Sequence, residues 1–204
     1  MDFVGVEKLS LVDYDHHMSA VLFSPGCNFA CPFCHNSALV IAPEFNNPIP
    51  FEEILSFLKK RQGLLDAVVV TGGEPTLMKD LKSKIRAIKD LGYKVKLDSN
   101  GSHPEVIKDL VDEGLLDYIA MDIKSCGVDY EFRTTLVKEY HDLEDIKKMS
   151  EDIGPAKRMR LQLFVDNDNC IQNGLHEVDL DTANEFKEIL KNHIDDVALR
   201  GYII

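Results

Sequence analysis

The sequence has no apolar run approaching the ~20 residues that a bilayer-spanning helix requires. Its first fifteen residues, MDFVGVEKLSLVDYD, are too charged for a secretory signal. No solenoid-period repeat and no low-complexity tract is present. Basic residues are in deficit: 23 Lys and Arg face 35 Asp and Glu, a formal net charge of −12. A field of that sign repels phosphate backbones and anionic lipid, which argues against non-specific nucleic-acid or membrane binding; it favours solubility. Cysteine is scarce, and its count of five is odd, which disfavours a disulfide framework. These absences together lead us to expect a cytoplasmic protein whose thiols stay reduced. A length of 204 residues at 45% hydrophobic content suffices for one hydrophobic core, so a single domain over 1–204 is expected.

What is present is an alternation of β-rich runs with helical stripes. SAVLFS (19–24), DAVVVT (66–71), YKVKLDS (93–99), DYIAMDIK (117–124), YEFRTTLV (130–137) and KRMRLQLFV (157–165) read as strands. Phe51, Ile54, Leu55 and Leu58 recur at helical spacing, as do Leu77, Leu81, Ile85 and Ile88, the latter stripe closing near Gly92. Pro104 suits the first turn of a helix running to about Gly114. Leu143, Ile146, Met149 and Ile153 predict a buried stripe over about 142–153, and a last helix is expected over about 181–193 before DVALRGY closes the chain. Strand–helix alternation of this kind means an α/β fold with a parallel sheet and outer helices. Six or so βα units are too few for a closed eight-fold barrel, so the expected architecture is a partial (β/α)6 barrel open on one side.

One connection breaks the pattern. Only SCGVD separates Lys124 from Tyr130, whereas parallel neighbours need a crossover of roughly a dozen residues. We therefore expect that a crossover segment is missing near 124–127. A continuous hairpin through these residues would refute that.

The chemistry-capable residues fall in a regular place. The loop SPGCNFACPFCHNS follows the first of these strands, TGGEP the second, DSNG ends the third and DIK the fourth, while Arg133 and Gln162 lie in the fifth and sixth. Ligands of parallel α/β folds bind at the carboxyl edge of the strands. The cysteines Cys27, Cys31 and Cys34 are spaced C-x3-C-x2-C. Three thiols are one short of a tetrahedral zinc site or an ordinary cluster. A zinc site completed by His35 or another residue is one reading, and a four-cysteine cluster using Cys126 or Cys170 is another. A third is a [4Fe-4S] cluster with three cysteine ligands and one open iron. Gly72 and Gly73 alone could be a tight turn, and DSNG an Asx-type turn. Lys124 alone could be a solvated surface lysine. His16, His17, His103, His141, His176 and His193 show no metal-ligand spacing.

CNFACPFC, with Phe33 just before the third cysteine, resembles the signature of the radical S-adenosylmethionine (SAM) superfamily. The following HN, and GGEP, DSNG, MDIK and FRTT, resemble the activating enzymes of glycyl radical enzymes, most closely the activase of the anaerobic ribonucleoside-triphosphate reductase. The likeness runs from about residue 9 to 140 and more loosely to the end. It implies that Cys27, Cys31 and Cys34 hold a [4Fe-4S] cluster whose open iron binds SAM. Phe33, Gly72, Gly73, Glu74, Asp98, Ser99, Asn100, Lys124, Arg133 and Gln162 would line the SAM site, with no catalytic residue beyond cluster and cofactor. His35 would be structural. Asp98, Ser99 and Asp122 match, with serine in place of the usual threonine, a monovalent-cation site of related pyruvate formate-lyase activases. The resemblance further implies reductive SAM cleavage, a flavodoxin or ferredoxin as electron source, and a glycyl radical enzyme as partner. Two other functions fit the same residues: a radical SAM enzyme acting on a small molecule of the deazapurine type, and a non-catalytic metal-binding module.

Overall fold

The computed structural model describes residues 2–41, 47–120 and 129–202. The chain falls into two compact units, Met1–Ala30 with Asn36–Asp129, and Cys31–His35 with Tyr130–Ile204.

In the first unit β1 (Gly5–Ser10) runs antiparallel to β2 (Ser19–Ser24). From β2 the sheet continues in parallel through β3 (Ala67–Gly72), β4 (Lys94–Asp98) and β5 (Tyr118–Ala120). The register sets Ser24 beside Gly72 and Asp98 beside Ala120, so neighbouring strands end together. Alternation sorts the side chains. Ala20, Leu22, Val68, Val70, Val95 and Leu97 face one way, into the main core. There they meet Ile54 and Leu58 of α2 (Phe51–Lys59), Leu81, Ile85 and Ile88 of α3 (Leu81–Asp90), and Ile107 and Leu110 of α4 (Pro104–Asp112). Complete burial of an aliphatic side chain such as Ile85 stabilises by about 1.5–3 kcal/mol. Val21, Ala67 and Val69 face the other way, with Tyr14.

In the second unit β6 (Asp129–Leu136), β7 (Ala156–Leu163) and β8 (Ile194–Arg200) pair in parallel. Helices α5 (Leu143–Ile153) and α6 (Leu180–Leu190) cover one face through Ile146, Phe186 and Leu190, against Phe132, Met159, Leu161 and Val197. Asp142 starts α5 with a capping box, accepting from the Glu144 and Asp145 amides while the Asp145 carboxylate accepts from the Asp142 amide. Neither sheet closes into a barrel.

The expected parallel α/β class, with helices on one face of each sheet and an open sheet, is what the chain has. Three elements were unforeseen: β1, β8, and the short helix α1 (Ser37–Ile41) after the cysteine loop. Two predicted stripe residues are corrected. Leu77 lies in a 3-10 turn (Pro75–Leu77) ahead of α3 rather than in that helix, and it is only partly buried. Leu143, at the first position of α5, is 45% exposed, because the capped first turn projects beyond the sheet-facing stripe of Ile146, Met149 and Ile153. Asp122, Lys124, Cys126 and most of the short connection before Tyr130 lie outside the described residues. Among the described residues no helix is long and apolar enough to cross a membrane.

Candidate functional site

The carboxyl ends of β2, β3 and β4 are bound to one another. Gly72 adopts a φ of +115°, and a Cβ there would stand 2.4 Å from the Ser24 nitrogen. A Cβ on Gly73 would stand 1.7 Å from the Gly26 carbonyl oxygen. No side chain fits either gap. The approach permits two backbone bonds, from Gly73 N–H to the Ser24 carbonyl (3.0 Å) and from Glu74 N–H to the Gly26 carbonyl (2.8 Å). Asn36, just past the cysteines, donates its side-chain amide to the Gly72 carbonyl at 3.1 Å. Both glycines are thus required by contact between backbones.

Glu74 is fully buried. One carboxylate oxygen accepts from the Thr76 amide (3.0 Å), the Thr76 hydroxyl (2.5 Å) and the Ser99 hydroxyl (2.9 Å); the other accepts from the Asn100 amide (2.7 Å). A buried carboxylate is tolerated when so surrounded by donors. Glu74 therefore ties the end of β3 to the end of β4. Thr76 also meets His103 Nδ1 at 3.2 Å, so this histidine belongs to a polar network.

Asn100 reaches back to the cysteine loop. Its Nδ2 lies 3.7 Å from Cys27 Sγ and 2.9 Å from Asn28 Oδ1, and its Oδ1 accepts from the Ser102 amide at 3.0 Å. Asn28 in turn donates to the Ser102 hydroxyl at 2.9 Å. The Phe29 amide also points at Cys27 Sγ, at 3.4 Å. Beside this loop the Ser24 hydroxyl is buried and has no hydrogen-bond partner among the described residues.

Asp98 is occupied by an ammonium group. Lys96, 1% exposed in the middle of β4, sets its Nζ 2.7 Å from Asp98 Oδ1 and 2.5 Å from the Asp13 carbonyl. Alternation explains the placement: Val95 and Leu97 face the helices, so Lys96 and Asp98 share the opposite face. Sequence reasoning missed Lys96; the signal was a lysine inside a buried strand.

The second unit carries the rest. The Cys34 amide donates to the Cys31 carbonyl at 3.0 Å, a tight turn. Phe33 packs against the cluster of Val137, Phe164, Cys170 and Leu175, and its ring lies 6.2 Å from that of Tyr140. His35 stacks on Phe164 at 5.8 Å and bonds the Val165 carbonyl through Nε2 at 3.0 Å. On β6, Arg133 Nε bonds Glu131, which is 1% exposed and also faces Arg160 at 3.6 Å and Arg200 at 4.0 Å. Gln162 lies on β7 between Thr135 and Arg200 in the register. Glu131, Arg160 and Arg200 were not foreseen; their signal was charge recurring at alternate strand positions.

Cys27, Cys31, Cys34 and Cys170 are outside any disulfide, and the three of the motif are partly exposed. Among the described residues, no three His, Cys, Asp or Glu side chains are gathered as a metal-holding group. Residues 21–154 match the family model described as the radical SAM superfamily. The chain belongs to that superfamily. A provisionally named glycyl-radical enzyme activating enzyme of Methanocaldococcus jannaschii is 33% identical over 234 residues, covering 96% of this chain and 94% of the relative. A provisionally named GTP 3′,8-cyclase of Saccharolobus solfataricus is 28% identical, covering 90% of this chain and 63% of its own length. A 7-carboxy-7-deazaguanine synthase of Thermococcus kodakarensis is 26% identical over 60% of this chain and 56% of its own. Among solved structures, Streptococcus suis SuiB bound to S-adenosylmethionine superposes with a TM-score of 0.64 at 15% identity, over 89% of this chain. This chain spans 52% of SuiB, and the likeness is one of fold.

Radical SAM membership implies a [4Fe-4S] cluster and SAM. The chemistry of the residues suits such a cluster: three thiols within eight positions of the sequence, none in a disulfide, with the Asn100 amide directed at the first.

Proposed function

We propose that this radical SAM enzyme activates a glycyl radical enzyme, with the anaerobic ribonucleoside-triphosphate reductase as its partner. The observation that carries this reading is the M. jannaschii relative, matched across nearly the whole of both chains. In this proposal Cys27, Cys31 and Cys34 hold the cluster. A cluster held there would supply the electron for reductive cleavage of SAM, drawn from a flavodoxin or ferredoxin, and the outcome would be loss of a hydrogen atom from a glycine of the partner.

The chain's own residues bind and orient. The backbone at Gly72 and Gly73, held flush against β2, offers SAM an edge unobstructed by side chains. Glu74 fixes that edge against Ser99 and Asn100. Phe33, Lys124, Arg133 and Gln162 complete the SAM site, with the Arg133 guanidinium braced by Glu131 and suited to a carboxylate. A monovalent cation is not part of this reading. Asp98 already faces the Lys96 ammonium, and Ser99 gives its hydroxyl to Glu74.

Incubating the reconstituted, reduced protein with SAM and the reductase should give a glycyl radical signal by electron paramagnetic resonance. SAM cleavage without that signal would overturn the assignment. A second reading, an enzyme of the deazapurine type acting on a small molecule, is favoured by the GTP-cyclase and deazaguanine-synthase relatives. Under it, 5′-deoxyadenosine would accumulate with a small-molecule substrate such as GTP and no partner protein.

A further inference from the structure

Asn100 stands in a chain of contacts that fixes the direction of its side-chain amide. A carboxamide can ordinarily be turned over, exchanging oxygen for nitrogen. Here the Ser102 amide is a donor, so the group 3.0 Å from it is Asn100 Oδ1. Nδ2 must then point to Cys27 and to Asn28 Oδ1. Asn28 is fixed in turn: the Asn100 nitrogen is a donor, so the Asn28 atom 2.9 Å from it is Oδ1, which leaves the Asn28 nitrogen to donate to the Ser102 hydroxyl, itself 3.0 Å from His103 Nδ1. The Asn100 backbone is anchored separately, its N–H held by buried Glu74. One N–H of the amide is engaged by Asn28, and the same nitrogen presents Cys27 Sγ at 3.7 Å, within reach of a hydrogen bond to sulfur.

We propose that Asn100 donates a hydrogen bond to the Cys27 sulfur of the cluster and sets the cluster's reduction potential. The proposal rests on the family reading that Cys27 is a cluster ligand. A ligating thiolate is a stronger acceptor than the thiol it replaces. Reduction adds negative charge that spreads onto the sulfurs, so an N–H directed at one of them stabilises the reduced form more than the oxidised form. Hydrogen bonds to cluster sulfurs are among the levers that tune potential. Asn100 therefore raises the potential, easing electron entry from the reductant. Glu74 and Asn28 act through it as positioning residues: Glu74 holds the strand end, and Asn28 holds the amide.

The test is a potentiometric titration of the reconstituted cluster without SAM, followed by electron paramagnetic resonance. Asn100→Asp keeps the size and replaces the donor with an acceptor; Asn100→Leu removes both. At fixed potential the ratio of reduced to oxidised cluster should fall by about tenfold in each variant, a downward shift of about 59 mV for a one-electron couple. The shift should be larger for Asn100→Asp. An unchanged midpoint in a variant with full iron and sulfide content overturns the proposal. A measurement on the wild-type protein guards against a variant that fails to assemble. With 15N-labelled asparagine, the reduced cluster should show a nitrogen coupling in pulsed resonance spectra, and its absence also overturns the proposal. If iron and sulfide analysis finds no cluster in the wild type, the family reading fails, and this inference falls with it.

Discussion

Replacing Glu74 by Gln tests the junction between β3 and β4. The carboxylate accepts three bonds on one oxygen and one on the other. A glutamine can place its oxygen toward Thr76 and Ser99. Its nitrogen then confronts the Asn100 N–H, donor against donor. One bond to a charged acceptor is lost, worth about 1.5–3 kcal/mol, and two donors are left unmatched at about 1–3 kcal/mol. Relief from burying a charge works in the opposite direction. That relief is small here, because four donors already solvate the carboxylate. The net expectation is a loss of about 3 kcal/mol, and for a chain of this length a melting temperature lower by about 6–12 °C. Thermal denaturation of the cluster-free protein, followed by circular dichroism, reads this directly. Glu74→Ala, which removes both oxygens, should lose about twice as much. A melting temperature unchanged or raised in Glu74→Gln would show that the two strand ends do not depend on the carboxylate.

Three further outcomes are expected. Lys96→Met removes the ammonium facing Asp98 inside the sheet; urea denaturation should show a loss of about 3 kcal/mol, and wild-type stability should be the same in potassium, sodium or choline chloride. A potassium requirement in the wild type would contradict the pairing. Gly73→Ala drives a methyl group into the Gly26 carbonyl, so the protein should be destabilised by more than about 2 kcal/mol and lose SAM binding by calorimetry, whereas Gly63→Ala, where a Cβ meets nothing within 4 Å, should lose only about 1 kcal/mol through its left-handed backbone. Burial, aided by Glu177 and Asp179, raises the Tyr202 hydroxyl from its ordinary 10.0 to about 12. The folded state then holds a proton that the unfolded chain releases, so stability should fall as pH rises from about 10 through about 12, and Tyr202→Phe should abolish that part of the fall.

Much of the fold was legible because its signals are periodic. Ile54 and Leu58, or Ile85 and Ile88, are buried where a 3.6-residue period puts them. The strand β1, GVEKLS, escaped because an edge strand exposed along much of its length has no apolar rhythm. The run VALR of β8 was visible, but its role as a strand depends on pairing with β7. At the site, motifs marked the positions without marking the contacts. The glycines of TGGEP suggest an approach to a ligand, whereas Gly73 is demanded by Gly26, a residue 47 positions away. Glu74 reads as a site residue, yet its bonds go to Thr76, Ser99 and Asn100. Lys96 and Glu131 could not be placed, because a charged residue in a strand is ordinarily a solvated one. Only the assembled sheet shows which face it occupies.

The Asn100–Gly101 pair has a bearing on how the protein ages. Asparagine before glycine is prone to deamidation, since the glycine nitrogen can attack the side-chain amide, and asparagine is among the heat-labile residues. In the folded chain the Gly101 N–H is engaged by the Ser99 hydroxyl at 3.1 Å, and Asn100 Oδ1 is held by Ser102. The turn that aims the amide at Cys27 thereby also withholds it from its neighbour. Heating or unfolding releases both restraints; attack by the glycine nitrogen then expels ammonia, and the cyclic imide opens to isoaspartate and aspartate, neither of which has a side-chain N–H to offer the sulfur. Samples stored warm would then drift chemically away from the asparagine protein, losing the donor while their cysteines remain intact.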